Sequence, residues 1–305
     1  MITDRLLLGA HVREALNRGQ AVVALESTII THGMPYPQNL KMARSVEDLV
    51  RKHGAVPATI AIMDGQMVAG VDEAALERLS EQGHAASKAS RRDLASALVQ
   101  GGLAGTTVAT TMMIAAMAGI HVFATGGIGG VHRGAETSFD ISADLEELSR
   151  TPVAVVCAGA KAILDIPKTL EVLETHGVPV IGWRTDDFPV FYSRTSGHKL
   201  DLRFDDVDSL ADMLHLHFDL GLGGALIANP VPEAFEINRE TAENWIKAAL
   251  HQADMRGVRG KDITPFLLNA IFELTGGKSL KTNIELARSN AEVAARIAVA
   301  LARRG

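Results

Sequence analysis

The run Val153–Ala158 is apolar at every position, VAVVCA, and ends on Gly159 with one cation, Lys161, just beyond it. A run without polar alternation does not suit a sheet wetted on one face; it reads as a strand buried on both sides, which demands covering helices. The residues after it predict a helix from about Pro167 to His176, with proline in the first turn. Lys161 therefore stands at the mouth of a helix, directly after a buried strand. That position suits a placed nucleophile, and it equally suits a solvated first-turn lysine.

The same alternation recurs along the chain. Strands are predicted at Ala21–Leu25, Ala58–Met63, His121–Ala124, Val178–Trp183 and Ala225–Ala228, with shorter extended pieces at Thr106–Val108 and Leu200–Phe204. Asp64-Gly65 predicts a hairpin into Gln66–Gly70. Helical periodicity covers residues 7–18, 38–53, 72–82, 110–117 and 206–220. Strand, helix and strand in turn point to the α/β class, with a largely parallel or mixed central sheet. The C-terminal third is helical: Ala242, Trp245, Ile246, Ala249 and Ala253 share one face of a helix that Gly257 and Gly260 end. Thr264-Pro265 starts another, and Ile284, Ala287, Ala291, Ala294, Ala298 and Leu301 line the last. No repeat or linker interrupts the sequence, so residues 1–305 read as one domain.

Composition narrows the partners. The net charge is −6 and the basic residues are scattered, which argues against nucleic acid. One cysteine, Cys157, excludes an intrachain disulfide and CxxC zinc patterns; set in an apolar run, it reads as a buried thiol. The N-terminus lacks a signal-peptide core and no apolar segment is long enough to span a bilayer, so no membrane partner is expected and a cytoplasmic location is the default.

Four polar stretches break the pattern. Glu26 opens Ser27–Pro35, rich in hydroxyls, glycine and proline, in the place of a binding loop at a strand end. Lys88, Arg91 and Arg92 lie beside serines, as an anion site or as a solvated charge run; Ser90 and Asp93 stand in capping-box positions for a helix opening there. The segment Thr125–Gly134 carries five glycines in ten residues, fit for close backbone approach to an oxyanion, yet it matches neither GxGxxG nor GxxxxGK[ST]. Asp140 and Asp144, four apart, fall on one face of a short acidic helix running to Leu148, where they hold a cation or complement the helix dipole.

Taken in order, ALESTIITHGMPYPQN, ATIAIMDGQ, SKASRRDL, TTVATTM, FATGGIGGVHRGAETSFDISADL, VCAGAKAILDIPKTLE, ALIANPVPE, KDITPFLL and KTNIELARSNA resemble the pseudouridine-5'-phosphate glycosidase family, also called indigoidine synthase A-like, from about residue 20 to 300. The resemblance implies an α/β/α sandwich assembled as a homotrimer. It implies reversible cleavage of the C-glycosidic bond of pseudouridine 5'-phosphate to uracil and ribose 5-phosphate, with Mn²⁺ as cofactor. By position it makes Lys161 the nucleophile, Glu26 the acid/base and Asp140 the metal carboxylate. Lys88, Val108 and the triplet Ser142, Ala143, Asp144 match substrate contacts, and Thr125, His132 and Asn283 are supporting ones.

The chemistry explains the amine. Carbon is a poor leaving group, so the two-carboxylate route of ordinary glycosides does not suffice. A lysine attacking C1 opens the ribose ring and yields an iminium, a better electron sink, which water then hydrolyses. A Schiff-base aldolase or lyase acting on another sugar phosphate would also use a strand-end lysine. A non-catalytic phosphosugar-binding domain would need neither Glu26 nor Lys161.

Overall fold

The chain is described by a computed structural model covering residues 2–258 and 263–304. The expected helix stop at Gly260 lies outside the described residues. Among them, eleven strands form one sheet. They are β1 (Leu6–Leu8), β2 (Val22–Leu25), β3 (Val56–Met63), β4 (Gln66–Ala69), β5 (Ser87–Ala89), β6 (Leu103–Thr106), β7 (Val122–Ala124), β8 (Ala154–Cys157), β9 (Val180–Trp183), β10 (Leu202–Phe204) and β11 (Ala225–Ala228).

The main path runs β1-β4-β3-β2-β7-β8-β11-β9-β10, and β6 joins β3 to β5. Pairing is parallel except where β3 meets β4 and β6. The strand that anchors the sequence reading is central: β8 lies between β7 and β11, with Ala154 opposite Val122 on one side and Ala225 on the other. Every β8 residue is fully buried. Helices supply the cover that such a strand requires. Lys278–Ala302 packs on β2, β7 and β8 and also against helices Gln38–Lys52 and Val207–Asp219, while Val108–Met117 packs on β2, β3, β4 and β6. Ala287, Ala291, Ala294 and Ala298 are buried on that terminal helix, where small side chains let its backbone approach its neighbours closely.

Several boundaries differ from the sequence reading, each for a local reason. Residues 6–8 form β1, parallel to β4, and the helix starts only at Ala10 after an extended Gly9. The Ser90/Asp93 capping box is present, but it opens a 3₁₀ turn, Arg91–Asp93, and the segment before it is β5. The Ser27–Pro35 segment contains a one-turn helix, Thr28–Thr31, and its hydroxyls hold the end of β6: Ser27 Oγ accepts from Thr106 N at 2.9 Å and Thr28 Oγ1 donates to Thr106 O at 2.7 Å. The acidic helix begins at Ala143 with Ser142 as its cap, so Asp140 precedes it and does not share its face with Asp144. The helix after β8 starts at Ile166, one residue from the expected Pro167, capped by Asp165, which accepts from Lys168 N at 3.2 Å. Lys161 is therefore a loop residue, not a first-turn one.

Gly159 sets that loop's direction. Its φ is +78°, and a Cβ there would overlap the carbonyl oxygen of Pro189. Left-handed backbone alone costs a non-glycine residue about 1–3 kcal/mol, so Gly159→Ala is expected to destabilise the fold by at least about that amount. A drop in the urea midpoint at unchanged m-value is the measurement that checks it.

Candidate active site

Parallel strands deliver their following residues to one edge of the sheet, and an α/β protein binds ligands there. Glu26 follows β2, Thr125 follows β7, and Lys161 follows β8 by way of Gly159; these three strands are neighbours. Lys88 arrives on β5, and Val108 heads the helix after β6.

Glu26, Lys88, Val108 and Lys161 meet in an open polar cleft of about 670 Å³, walled also by His132, Asp140, Ser142, Ala143 and Asp144. Glu26, Thr28, Lys88 and Lys161 face as well a smaller chamber of about 50 Å³. Ile29, Met34, Phe191 and Leu286 make that chamber apolar, and Asn283 reaches it from the terminal helix. Of the eleven residues singled out from the sequence, ten line one or both spaces, and Thr125 touches them through Glu26.

Glu26 is almost fully buried and accepts a 2.6 Å hydrogen bond from Thr125 Oγ1. Burial pushes its carboxyl above the usual range, against the opposing pull of Lys161, the Thr125 bond and Lys88; Asp144 adds to the rise. A carboxyl so placed holds its proton to higher pH than a free glutamate does. His132 is moved the other way: burial lowers it, Asp140 opposes, and Lys161 and Lys88 reinforce the fall. It is thus a neutral imidazole at pH 7, with Nδ1 4.0 Å from Asp140 Oδ2. Cys157, the last residue of β8, is a buried thiol pushed up to about 12, chiefly by desolvation.

Two expected contacts prove to be built differently. Asp144 lines the cleft, but its carboxylate is engaged by backbone: Oδ1 accepts from Ala109 N at 2.9 Å and Oδ2 from Gly129 N at 2.8 Å. It ties the head of one helix to the glycine loop. The Val108 side chain is buried, so only its backbone is at hand for the cleft. The glycine loop itself is packed against protein. A Cβ at Gly129 would collide with Ser142 and Asp144, and one at Gly127 would meet the Phe191 ring at 2.7 Å. Gly127, Gly129 and Gly130 thus serve close packing of the loop that carries His132.

Among the described residues, Asp140 and His132 form a carboxylate and imidazole pair at the cleft wall that suits a cation. Among the described residues no cluster of three or more His, Cys, Asp or Glu side chains could hold a metal. This donor set fits a hard divalent ion that keeps most of its water, and not a tightly caged one.

Sequence reasoning missed the residues that hold the site from behind. Asn290 is fully buried; its Nδ2 donates to Thr125 O at 2.7 Å and its Oδ1 accepts from Asn229 Nδ2 at 2.9 Å. Asn229 follows β11, so one amide on the terminal helix links the exits of β7 and β11. The available signal was a pair of asparagines seven apart, Asn283 and Asn290, interrupting an alanine-rich apolar face. Glu147 is a second omission: it is buried, accepts from Thr151, and pairs with Arg91 at the cleft.

Residues 11–300 match the family model described as indigoidine synthase A-like protein. A pseudouridine-5'-phosphate glycosidase of Sorangium cellulosum (strain So ce56) is 63% identical over 304 residues, spanning 100% of this chain and 96% of the relative. Another of that name, from Caldanaerobacter subterraneus subsp. tengcongensis, is 58% identical over 295 residues, 96% of each chain. Among solved structures, the prealnumycin C-glycosynthase AlnA in complex with ribulose 5-phosphate superposes with a TM-score of 0.90 at 39% identity, covering 98% of this chain and 97% of that one. An indigoidine synthase A-like protein from Thermotoga maritima gives 0.89 at 34% identity, with the same coverage. By sequence and by fold, the chain belongs to the indigoidine synthase A-like family.

Proposed function

We propose that this protein is a C-glycosidase that reversibly cleaves pseudouridine 5'-phosphate to uracil and ribose 5-phosphate through a Schiff base on Lys161. The observation that carries the reading is the meeting of Lys161 with the buried Glu26 at the boundary between a polar cleft and an apolar chamber. The names of relatives 54–63% identical over nearly the whole chain support the substrate. The sugar phosphate held by the C-glycosynthase supports a ligand of that class.

On this reading the ribose and phosphate occupy the polar cleft and the flat base enters the apolar chamber. The unprotonated Lys161 nitrogen bonds to C1 as the bond from C1 to the ring oxygen breaks, and that oxygen takes the proton of Glu26. The attacking nitrogen, now positively charged, gives a proton to the Glu26 carboxylate, which delivers it to uracil C5 as the bond from C1 to C5 breaks and the freed nitrogen lone pair forms the iminium. Water adds to the iminium and expels Lys161, so one water is consumed for each uracil released. Thr125 fixes the Glu26 carboxyl during these transfers. His132, neutral, accepts or donates a hydrogen bond in the cleft without adding charge.

Asp140, with His132 beside it, would hold Mn²⁺, which supplies positive charge against the phosphate when bound. A homotrimer belongs to the same reading; Phe139 and Ile141, exposed on either side of Asp140, are apolar surface that a neighbouring subunit would cover. So does a cytoplasmic setting. No helix among the described residues is long and apolar enough to cross a membrane.

Lys161→Ala is expected to abolish uracil release while the protein stays folded. Borohydride added during turnover should fix ribose 5-phosphate to Lys161, read by peptide mass; wild-type protein without that adduct would remove the Schiff base.

Glu26→Gln is expected to lower kcat by about 10²- to 10⁴-fold, the usual range for acid/base catalysis. It also carries a stability signature. Because the folded carboxyl lies above its unfolded value, its contribution is fully present below about pH 4.3 and is lost as pH rises through the folded value. Glutamine does not ionise, so the variant should melt like wild type in acid and above it near neutrality. Parallel melting curves at both pH values check this.

A further inference from the structure

Glu147 is a buried carboxylate that no step of the proposed chemistry uses. Only 1% of its side chain is exposed, and a charge so placed is retained only when well partnered. Its Oε1 accepts from Thr151 Oγ1 and its Oε2 from Arg91 Nη1. The pair spans 56 residues of sequence and joins the segment that carries Lys88 to the helix headed by Ser142 and Ala143. Both segments line the polar cleft.

The consequence falls on Arg91. Its backbone is fixed by the Ser90/Asp93 capping box, and its guanidinium is fixed by Glu147 through one nitrogen. Among the described residues it makes no other hydrogen bond, and its side chain is 40% exposed to the cleft side. Arg92, next in sequence, is 82% exposed and comes no nearer than 3.8 Å to Asp93. Of these two neighbouring arginines, one is therefore held and one is solvated. The held pair is neutral overall, so its gain is one of geometry: a planar donor fork, already ordered, at the wall of a cleft that Lys88 and Lys161 also line.

We propose that Arg91 recognises the phosphate of the substrate and that Glu147 is a positioning residue acting through it, making the protein selective for a phosphorylated C-nucleoside over its free nucleoside. The proposal rests on the functional reading above.

The test compares wild type, Arg91→Met, Arg91→Lys, Glu147→Gln and the Arg91→Met/Glu147→Gln double variant on pseudouridine 5'-phosphate and on pseudouridine. Losing charge-assisted bonds should raise KM for the phosphate about ten- to a hundredfold in Arg91→Met, with kcat changed less than about threefold. Arg91→Lys should recover part of the loss, since it restores charge without the fork. Glu147→Gln should raise KM less than Arg91→Met, and should add nothing in the Arg91→Met background. Should Glu147→Gln fail to fold, the Arg91 pair alone decides the phosphate contact. An unchanged KM and phosphate preference in Arg91→Met overturns the proposal, and a Glu147 effect that persists without Arg91 overturns the positioning role. If wild type releases no uracil, the functional reading is what has failed. Arg91 is then judged by calorimetric binding of ribose 5-phosphate, which should weaken in Arg91→Met; unchanged binding overturns the clamp.

Discussion

One buried amide decides whether the strand exits stay where the site needs them. Asn290 bonds at once to the carbonyl after β7 and to the asparagine after β11, so the terminal helix is stitched to the sheet edge on both sides of β8. Leaving a buried amide or carbonyl without its partner costs about 1–3 kcal/mol, so these groups favour one register of helix on sheet. The buried alanines on the same helix provide closeness, and the asparagine provides position. Glu26, Thr125 and Lys161 inherit their separation from that arrangement.

Charge is distributed around those residues with opposite effects on neighbouring groups. Burial keeps Glu26 protonated above the ordinary range, while burial and two lysines keep His132 neutral. Asp144 spends its charge on two backbone amides, and Glu147 spends its own on Arg91 and Thr151. The acids near the cleft thus divide into structural braces and groups left to act on a ligand. Type and spacing in the sequence do not separate the two; partners do.

That division marks how far the sequence could be read. A fully apolar run such as β8 has few ways to be satisfied, and its place in the middle of a parallel sheet was legible. So was the Asp64-Gly65 hairpin, because a tight turn is local chemistry. Candidate residues were legible as a set, since Glu26, Lys88, Lys161 and Asp140 stand in long blocks that resemble one family. Less legible was anything decided by contacts across the fold. Pro167 announced the helix start, which leaves Lys161 in the loop before it, but nothing in AKAILDIP announces that this loop faces Glu26 and Lys88. The glycine loop looked like an anion cradle, whereas the missing side chains make room for Ser142, Asp144 and Phe191. Asn290 and Glu147 drew no notice, for their value lies in partners 61 to 165 and 56 residues away.

The strand that ends in Cys157 has a practical side as well. Its thiol is fully buried and pushed up to about 12, so at neutral pH almost no thiolate exists and no reagent reaches it. With no other cysteine in the chain, the folded protein presents a thiol-free exterior. A cysteine introduced at any exposed position would then be the sole reactive handle, and a fluorophore or spin label attached there would report from one known place.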